Sequence, residues 1–377
     1  MDVDAKLPLL GGLSPAAFMR RHWQKKPLLV RQALPGVAPP LARAKLFELA
    51  ASDDVESRLV VRDGDRWRVR HGPLQRRALP PLAQPHWTLL LQGLDLHVPA
   101  AHEMLSRFRF VPDARLDDLM ISWASDGGGV GPHLDSYDVF LIQVHGRRRW
   151  RIGRPGSDAF VPGLPLKILQ RFEPEQEWVL EPGDMLYLPP RWAHDGVAEG
   201  ECMTCSVGFR AAGRLETGRE VLQRLVDDAG DSDDDVPDPL YRDPAQPATP
   251  TPGAIPEALR AFARDAVQRL LAEPLAVERA LGEMLTEPKP RVWFEPGGSA
   301  PPGGGVLLDA RTRMMYDERH VYINGESFLA GGRDARLMHA LADARGLPAA
   351  DCRQLSAEAR ALVGEWIAQG WLHGSPS

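Results

Sequence analysis

Short β-type runs separated by glycine and proline turns fill the chain up to about Arg210. Examples are LVVRDGDRWRVRHG, DDLMISWASDGGG, QEWVLEPGDMLYLPP and MTCSVGFR, and the 377 residues include 35 glycines and 35 prolines. Closely spaced strands without intervening helices favour a sandwich or barrel over a βαβ fold. The sequence therefore predicts a mainly β fold for this part of the chain, with helices added after it.

Helical patterns follow in GRLETGREVLQRLVDD, PEALRAFARDAVQRLLAEP and LAVERALGEMLTE. In the second of these, Leu259, Phe262, Ala266 and Leu270 recur at spacings of three and four, which is one face of a helix. The acidic, proline-rich segment that starts at DAGDSDDDVPDP is expected to be a solvated linker. A helical unit of this small size, with wide apolar stripes, is expected to pack on another surface or on a second copy of the chain. Our hypothesis is that the chain dimerises through it.

The tail from about Pro290 has the make-up of a winged-helix domain. VLLDARTRMMYDERHVYINGESF predicts two short strands joined by a loop, and RDARLMHALADARGL and SAEARALVGEWIAQGWLH predict two helices. The helices carry acids and bases in similar numbers, so a packing or protein-contact role is favoured over nucleic-acid binding. We therefore expect three domains, at residues 1–211, 212–289 and 290–377.

Composition narrows the class of protein further. The net charge of −6 provides no global positive field, so direct nucleic-acid binding is not expected. Three cysteines fit a reducing, cytoplasmic environment better than a disulfide framework. The sequence contains neither a signal-peptide pattern nor a run of about 18 apolar residues, so no membrane association is expected.

Three residues form a candidate metal site. In GPHLDSYDVFLIQVHGRRRWRIG, His133 and Asp135 lie two apart, so on a strand both side chains would point the same way. A histidine and a carboxylate are two thirds of the facial triad that holds non-haem Fe(II), although such a pair alone is more often a solvated polar pair. EPGDMLYLPPRWAHDG adds His194, far enough along the chain for the sheet to have been crossed and crossed back.

The arginine run after the apolar stretch predicts a buried positive charge. We expect a turn at His145–Gly146 and a second strand from Arg147. Alternation would divide the residues between its two faces: Arg147, Arg149 and Arg151 on one, Arg148 with Trp150 and Ile152 on the other, interior one. A buried guanidinium requires an anion, and its planar fork suits a carboxylate. The anion is either a dicarboxylate co-substrate that also chelates iron, or a local acidic side chain.

These motifs resemble those of a known family. KKPLLVRQALPG, ISWASDGGGVGPHLDSYDVFLIQVHGRRRWRIG and EPGDMLYLPPRWAHDGVA are similar to the bacterial ribosomal oxygenases of the JmjC, cupin-like 2-oxoglutarate oxygenase family. Within it, the chain is most similar to the members that hydroxylate an arginine of large-subunit ribosomal protein L sixteen. The resemblance implies a double-stranded β-helix (jelly-roll or cupin fold), a helical dimerisation segment and a C-terminal winged helix, in this order.

The resemblance also implies a cofactor and a co-substrate. Fe(II) would bind His133, Asp135 and His194, and 2-oxoglutarate would be held by Arg148, with the Ser122 hydroxyl as an additional contact. The implied reaction consumes O2 and 2-oxoglutarate, gives succinate and CO2, and hydroxylates the substrate.

The implied substrate is an arginine Cβ of a large-subunit ribosomal protein, and the implied assembly is a homodimer. Asp126 and Tyr137 would lie near the substrate arginine, where a carboxylate pairs with a guanidinium and an aromatic ring stacks on it. Histidyl hydroxylation of another ribosomal protein is an alternative. A non-catalytic cupin-like scaffold that binds a partner and a winged-helix nucleic-acid binder are two more, but the intact triad with an inward arginine favours the enzyme.

Overall fold

The computed structural model describes residues 2–156, 158–231, 239–297 and 304–375. Two compact units divide the chain: Met1–Ala211 with Arg291–Trp293, and Ala212–Pro290 with Phe294–Ser377. The predicted end of the β domain at residue 211 stays a prediction. The helical region and the tail share one unit, so the predicted division between them at 289/290 stays a prediction.

The first unit is built mainly of strands. Its strands are β1 (Leu28–Val30), β2 (Ser57–Asp63), β3 (Arg66–His71), β4 (Trp87–Leu91), β5 (Leu116–Ala124), β6 (Val139–Gly153), β7 (Gln176–Leu180), β8 (Met185–Leu188) and β9 (Ala193–Phe209). Its α-helices are α1 (Pro15–Arg21), α2 (Arg43–Leu49) and α3 (Pro99–Ser106). The mainly β prediction is confirmed for this unit.

The strands form one antiparallel sheet in the order β1-β8-β6-β9-β5-β4-β2-β3, and β7 also pairs with β6. The long strands β6 and β9 pair with each other along most of their length. On its other side β6 pairs first with β8, over Val139–Ile142, and then with β7, over Arg148–Ile152. The two long strands therefore link the other strands into one sheet. The inner face of β6 and β9 carries side chains from both ends of these strands.

Aromatic side chains fill the core beside this sheet. Phe18 of α1 is fully buried and lies 4.9 Å from the ring of Tyr187 and 5.4 Å from that of Phe140, measured between centroids. The Ser14 hydroxyl caps α1 by accepting a hydrogen bond from the Ala17 amide at 3.2 Å. This capped helix fixes the N-terminal segment on the strands that carry the site.

Strand β6 corrects one prediction. The turn expected at His145–Gly146 is wrong, because β6 is continuous from Val139 to Gly153. The pairing with β9 instead shifts register on both sides of His145, which is a β-bulge. Gly146 has φ +61, and a Cβ there would lie 2.1 Å from the Glu201 carbonyl oxygen, so only glycine fits. The bulge bends the strand without ending it.

The second unit combines helices with two small sheets. Its helices are α4 (Arg214–Asp231), α5 (Glu257–Ala272), α6 (Ala276–Thr286), α7 (Gly332–Ala344), α8 (Ala349–Cys352) and α9 (Ala357–Ala368). Its strands are β10 (Gly305–Leu308), β11 (Met314–Tyr316), β12 (His320–Ile323), β13 (Glu326–Leu329), β14 (Gly346–Leu347) and β15 (Leu372–Ser375). No helix in the described ranges has the length and apolarity that crossing a membrane would require.

Comparison with the predicted tail and linker gives two further corrections. The segment expected to form two strands and a loop forms four strands, because Asn324 and Gly325, both with positive φ, join β12 and β13 in a tight hairpin. The two predicted helices are present as α7 and α9. The expected acidic linker begins later than predicted, since α4 continues to Asp231, and its residues 232–238 lie outside the described residues.

Candidate metal centre

Three distant side chains meet at one point of the first unit. His133, Asp135 and His194 each offer a ligand atom, and these atoms lie within 4.8 Å of one another. The Asp135 carboxylate lies 3.9 Å from Nε2 of His133 and 3.5 Å from Nε2 of His194. Two imidazoles and one carboxylate are the donor set of the facial triad. This triad occupies one face of the metal and leaves positions open on it.

The backbone that places the two histidines differs from the predicted strand. His133 and Asp135 lie in the loop between β5 and β6, so the strand expected there is wrong. His133 instead forms an isolated antiparallel bridge with His194, with both amide-to-carbonyl hydrogen bonds at 3.0 Å. This bridge brings the two imidazole rings to a centroid distance of 4.2 Å.

Glycine is required two residues before His133. Gly131 has φ +79, and a Cβ on it would lie 3.0 Å from Ile168 and 3.3 Å from the Trp67 ring. A larger residue would thus push the loop away from the two side chains that enclose it. Sequence reasoning missed both Trp67 and Ile168, since neither lies in a motif with the ligands.

Both imidazoles present the same nitrogen to the carboxylate. Nδ1 of His133 donates to the Gly131 carbonyl and Nδ1 of His194 to the Trp192 carbonyl, each at 2.9 Å, because a carbonyl can only accept. In the neutral form of each ring, Nε2 therefore has a lone pair for a metal. Burial lowers the pKa of His194 to about 4, so this ring is neutral near pH 7, as a metal ligand must be.

Arg148 extends into the interior from β6. It is only 5% exposed, and Nη1 donates to the Ser122 hydroxyl at 3.1 Å. Its Nε and Nη2 atoms are buried and have no hydrogen-bond partner, and no carboxylate among the described residues forms an ion pair with it. An uncompensated buried guanidinium is costly, so this arrangement suits an anionic ligand. The local acid considered as its partner is absent from the described part of the chain.

The Ser122 hydroxyl is held by a chain of buried polar groups. It donates to the Thr204 carbonyl at 3.4 Å, and the Thr204 hydroxyl donates to Oε1 of Gln143 at 2.8 Å. The Gln143 amide in turn donates to the His145 carbonyl in the bulge of β6 at 2.8 Å. Gln143 was missed from sequence, although a glutamine inside an apolar run is a readable signal.

Asp126 and Tyr137 lie at the ends of the loop that carries the ligands. Asp126 is exposed, and one carboxylate oxygen accepts from the Gly200 amide at 2.8 Å. Tyr137 is 39% exposed, and partial burial together with the Asp135 carboxylate raises the pKa of its phenol. Both side chains are accessible to a large substrate, and their roles stay predictions.

The three arginines that flank Arg148 have acidic partners on the outer face. Arg149 pairs with Glu177 of β7 and Glu199 of β9, and Arg151 pairs with Asp195. Arg147 lies 3.7 Å from Glu199. The outer face is thus a ladder of cross-strand ion pairs, and the inner face keeps a single arginine.

The donor set fits a hard to borderline divalent metal such as Fe(II), since it offers imidazole nitrogen and carboxylate oxygen without thiolate. The buried, unsatisfied guanidinium atoms of Arg148 fit a ligand that carries a carboxylate. The residues present are therefore compatible with iron and 2-oxoglutarate.

Comparison with known proteins identifies two domain families in the chain. The JmjC domain family matches residues 103–216, and the ROXA-like winged helix family matches residues 269–373. The chain is 37% identical over 334 residues to the ribosomal protein uL16 3-hydroxylase of Escherichia coli K12, covering 84% of this chain and 86% of that protein. It is 40% identical over 213 residues to a probable ribosomal oxygenase of Haemophilus influenzae, covering 55% of this chain and 52% of that protein.

Solved structures match over nearly the whole chain. The ribosomal oxygenase YcfD of Escherichia coli superposes with a TM-score of 0.82 at 29% identity, covering 95% of this chain and 97% of that one. The same protein in complex with cobalt and 2-oxoglutarate superposes with a TM-score of 0.78. The predicted JmjC cupin-like domain and winged helix are confirmed, and the chain belongs to the JmjC-domain ribosomal oxygenase family.

Proposed function

We propose that this chain is an Fe(II)- and 2-oxoglutarate-dependent dioxygenase that hydroxylates the Cβ of an arginine in a large-subunit ribosomal protein. The observation that carries the proposal is the presence, in one unit, of two imidazoles and a carboxylate whose ligand atoms lie within 4.8 Å of one another and of a buried guanidinium with two unsatisfied nitrogen atoms. The name of the Escherichia coli relative and the cobalt and 2-oxoglutarate complex of YcfD support it.

The roles of the residues follow from their contacts. His133, Asp135 and His194 would hold the metal on one side and leave the other side open. Arg148, oriented by the Ser122 hydroxyl, would bind the far carboxylate of 2-oxoglutarate. Bound iron and 2-oxoglutarate supply the oxidation of a C–H bond by O2, with succinate and CO2 as the other products. The chain itself holds, orients and shields these groups.

We assign substrate selection to the two exposed side chains Asp126 and Tyr137. The carboxylate of Asp126 would pair with the substrate guanidinium, and the ring of Tyr137 would stack on it. An acid suits a guanidinium, which is always charged, better than a neutral imidazole. The arginine substrate is therefore preferred over the histidyl alternative.

The test is hydroxylation of purified large-subunit ribosomal proteins, with fragment-ion mass spectrometry to locate the added oxygen. We expect the oxygen on an arginine side chain, with one succinate formed for each oxygen inserted. Asp126→Asn should raise the KM for the protein substrate about tenfold or more while uncoupled succinate formation is retained. An added oxygen on histidine would replace the arginine assignment, and no succinate above background would reject the enzyme.

The proposal includes a homodimer and a cytoplasmic location, where ribosomes are made. Helix α5 has no buried residue in the structure, and its Phe262 and Leu259 are exposed. An apolar stripe of this kind is typical of a helix that packs on a second copy. Light scattering should give the dimer mass, and Phe262→Asp should give the monomer mass. A monomeric wild type would contradict the dimer without affecting the enzymatic proposal.

A further inference from the structure

The hairpin β2–β3 and the turn after it, residues 57–80, form an unusually basic segment. We call it the arginine hairpin. It contains seven arginines and two aspartates, whereas the whole chain has a net charge of −6. The arginines are Arg58, Arg62, Arg66, Arg68, Arg70, Arg76 and Arg77. The local field of this segment is therefore opposite in sign to that of the chain as a whole. The expectation of no nucleic-acid contact rests on the net charge of the whole chain.

The charges of the arginine hairpin are not neutralised within the described structure. None of its seven arginines forms an ion pair with a described carboxylate, and all except Arg58 are exposed. Two of them lie over aromatic rings instead, with Arg62 5.8 Å from Trp67 and Arg76 5.3 Å from Phe47. In the ladder on β6, by contrast, Arg149 and Arg151 have acidic partners. Six of the seven arginines are therefore exposed to solvent without an ion-pair partner among the described residues.

Their spacing is regular. Strand β3 is the last strand of the sheet and pairs only with β2, so one of its edges is open. Arg66, Arg68 and Arg70 occupy alternate positions, so they share one face at intervals of about 7 Å. A row of evenly spaced cations along an open edge is suited to an extended, repeating anion.

A groove beside this row adds a second kind of contact. It has a volume of about 220 Å³ and is lined by Arg68 and Arg70 and by an apolar floor that includes Leu59, Val61 and Leu79. Arg70 is held at the rim by a hydrogen bond from Nη1 to the Ala78 carbonyl at 3.2 Å. The groove thus pairs an apolar surface with guanidinium groups at its edge.

We propose that the arginine hairpin binds single-stranded RNA, with backbone phosphates on the β3 arginines and a base in the groove. Each nucleotide combines an anion with a flat, largely apolar ring, which matches a cationic rim over an apolar floor. An acidic peptide would satisfy the arginines but leave the floor of the groove unused. The inference goes beyond the proposed function and does not depend on it.

The position of the hairpin relates this surface to the metal centre. The face of the hairpin opposite to Arg66, Arg68 and Arg70 carries Trp67. The Trp67 ring lies against Gly131, which is two residues before His133. RNA on the face with Arg66, Arg68 and Arg70 would therefore be held in the same unit as the metal-site loop, with strand β3 between the RNA and the loop. Such a contact would retain the protein on an RNA-bearing particle while the site acts on a protein chain.

The test is binding of the full chain to a fluorescein-labelled single-stranded RNA of about 12 nucleotides, followed by anisotropy as a function of salt. We expect binding at low salt that weakens as salt rises. The triple variant R66Q/R68Q/R70Q should bind at least about tenfold more weakly, with a salt slope lower by about 2, since each phosphate contact on a single strand contributes about 0.7.

The matched control is R260Q/R264Q/R269Q, which removes three exposed charges from α5, where acidic partners are present. It should bind RNA within about threefold of wild type. Both variants should retain the wild-type circular dichroism spectrum and, because α5 is also the proposed dimer helix, the wild-type mass in light scattering. The proposal is overturned by absent RNA binding in the wild type, or by equal losses in both variants. Polyglutamate that competes as well as RNA per charge would also overturn it, because the partner would then be an acidic protein.

Discussion

The two faces of the paired strands β6 and β9 carry similar charged groups in opposite situations. On the outer face, Arg149 and Arg151 are matched by acids on neighbouring strands. On the inner face, Arg148 has a hydroxyl partner and two buried nitrogen atoms without any partner. Residues one position apart thus differ in role: the outer charges are neutralised within the fold, whereas the inner charge remains available to a ligand.

The same division recurs on β9. His194 faces the interior with Nε2 directed at Asp135, and its neighbour Asp195 pairs with Arg151 on the other face. Because alternation along a strand separates these positions, substitutions on one face should affect ligand binding and those on the other should affect only stability. The predictions below test this separation.

The largest effect is expected from removal of an inner-face metal ligand. His194→Ala would leave two of the three proposed ligands, so succinate formation should fall by at least about a hundredfold and Fe(II) binding should weaken in parallel. The control is His145→Ala, which changes an exposed histidine on β6 and should retain nearly full activity. Activity near wild type in His194→Ala would show that the metal is bound elsewhere.

A large but more selective effect is expected from Arg148→Ala. Loss of a charge-assisted hydrogen-bonding partner of about 1.5–3 kcal/mol should raise the KM for 2-oxoglutarate roughly 10- to 150-fold. Arg149→Ala, one residue away on the outer face, should change this KM less than twofold. Steady-state kinetics with varied 2-oxoglutarate separates the two variants, and equal effects would remove the distinction between the faces.

A moderate effect is expected from pH on the metal-free protein. Because burial lowers the pKa of His194 from 6.5 to about 4, the unfolded chain takes up a proton in this window that the folded chain does not. The free energy of unfolding should therefore be fully retained above pH 6.5 and fall by up to roughly 3 kcal/mol as pH decreases towards 4. Urea unfolding at several pH values measures this loss, and His194→Gln should reduce it. An unchanged pH dependence in the variant would assign it to other groups.

The smallest effect is expected from the outer ladder. A double-mutant cycle between Arg149 and Glu177, both partly exposed, should give a coupling free energy below about 1 kcal/mol, because solvent screens such pairs. Chemical denaturation of the four proteins provides the value. A coupling of several kcal/mol would mean that the outer face is as sensitive as the inner one.

Much of this organisation was predictable from local pattern. Alternation along RRRWRI assigned Arg148 to the interior, and the spacing of apolar residues in PEALRAFARDAVQRLLAEP predicted helix α5. These predictions succeed because they depend on neighbours within a few residues. The Asn324–Gly325 turn is an equally local signal, but the prediction of two strands and a loop did not include this hairpin.

Features that depend on distant partners were not predictable. The bulge at His145 arises from the pairing of β6 with β9, and Gly146 is required by the carbonyl of Glu201. The bridge that aligns His133 with His194 likewise joins segments far apart in sequence. For this reason the sequence identified the candidate ligands but placed His133 and Asp135 on a strand, whereas both lie in the loop between β5 and β6.

The central claim is that His133, Asp135 and His194 share one metal while Arg148 holds the co-substrate. An anaerobic crystal structure with Mn(II) in place of iron and with 2-oxoglutarate tests it most directly. The expected result is metal bound to both Nε2 atoms and the Asp135 carboxylate, with the far carboxylate of 2-oxoglutarate on Arg148. Metal bound away from these three residues, or 2-oxoglutarate bound without Arg148, would contradict it.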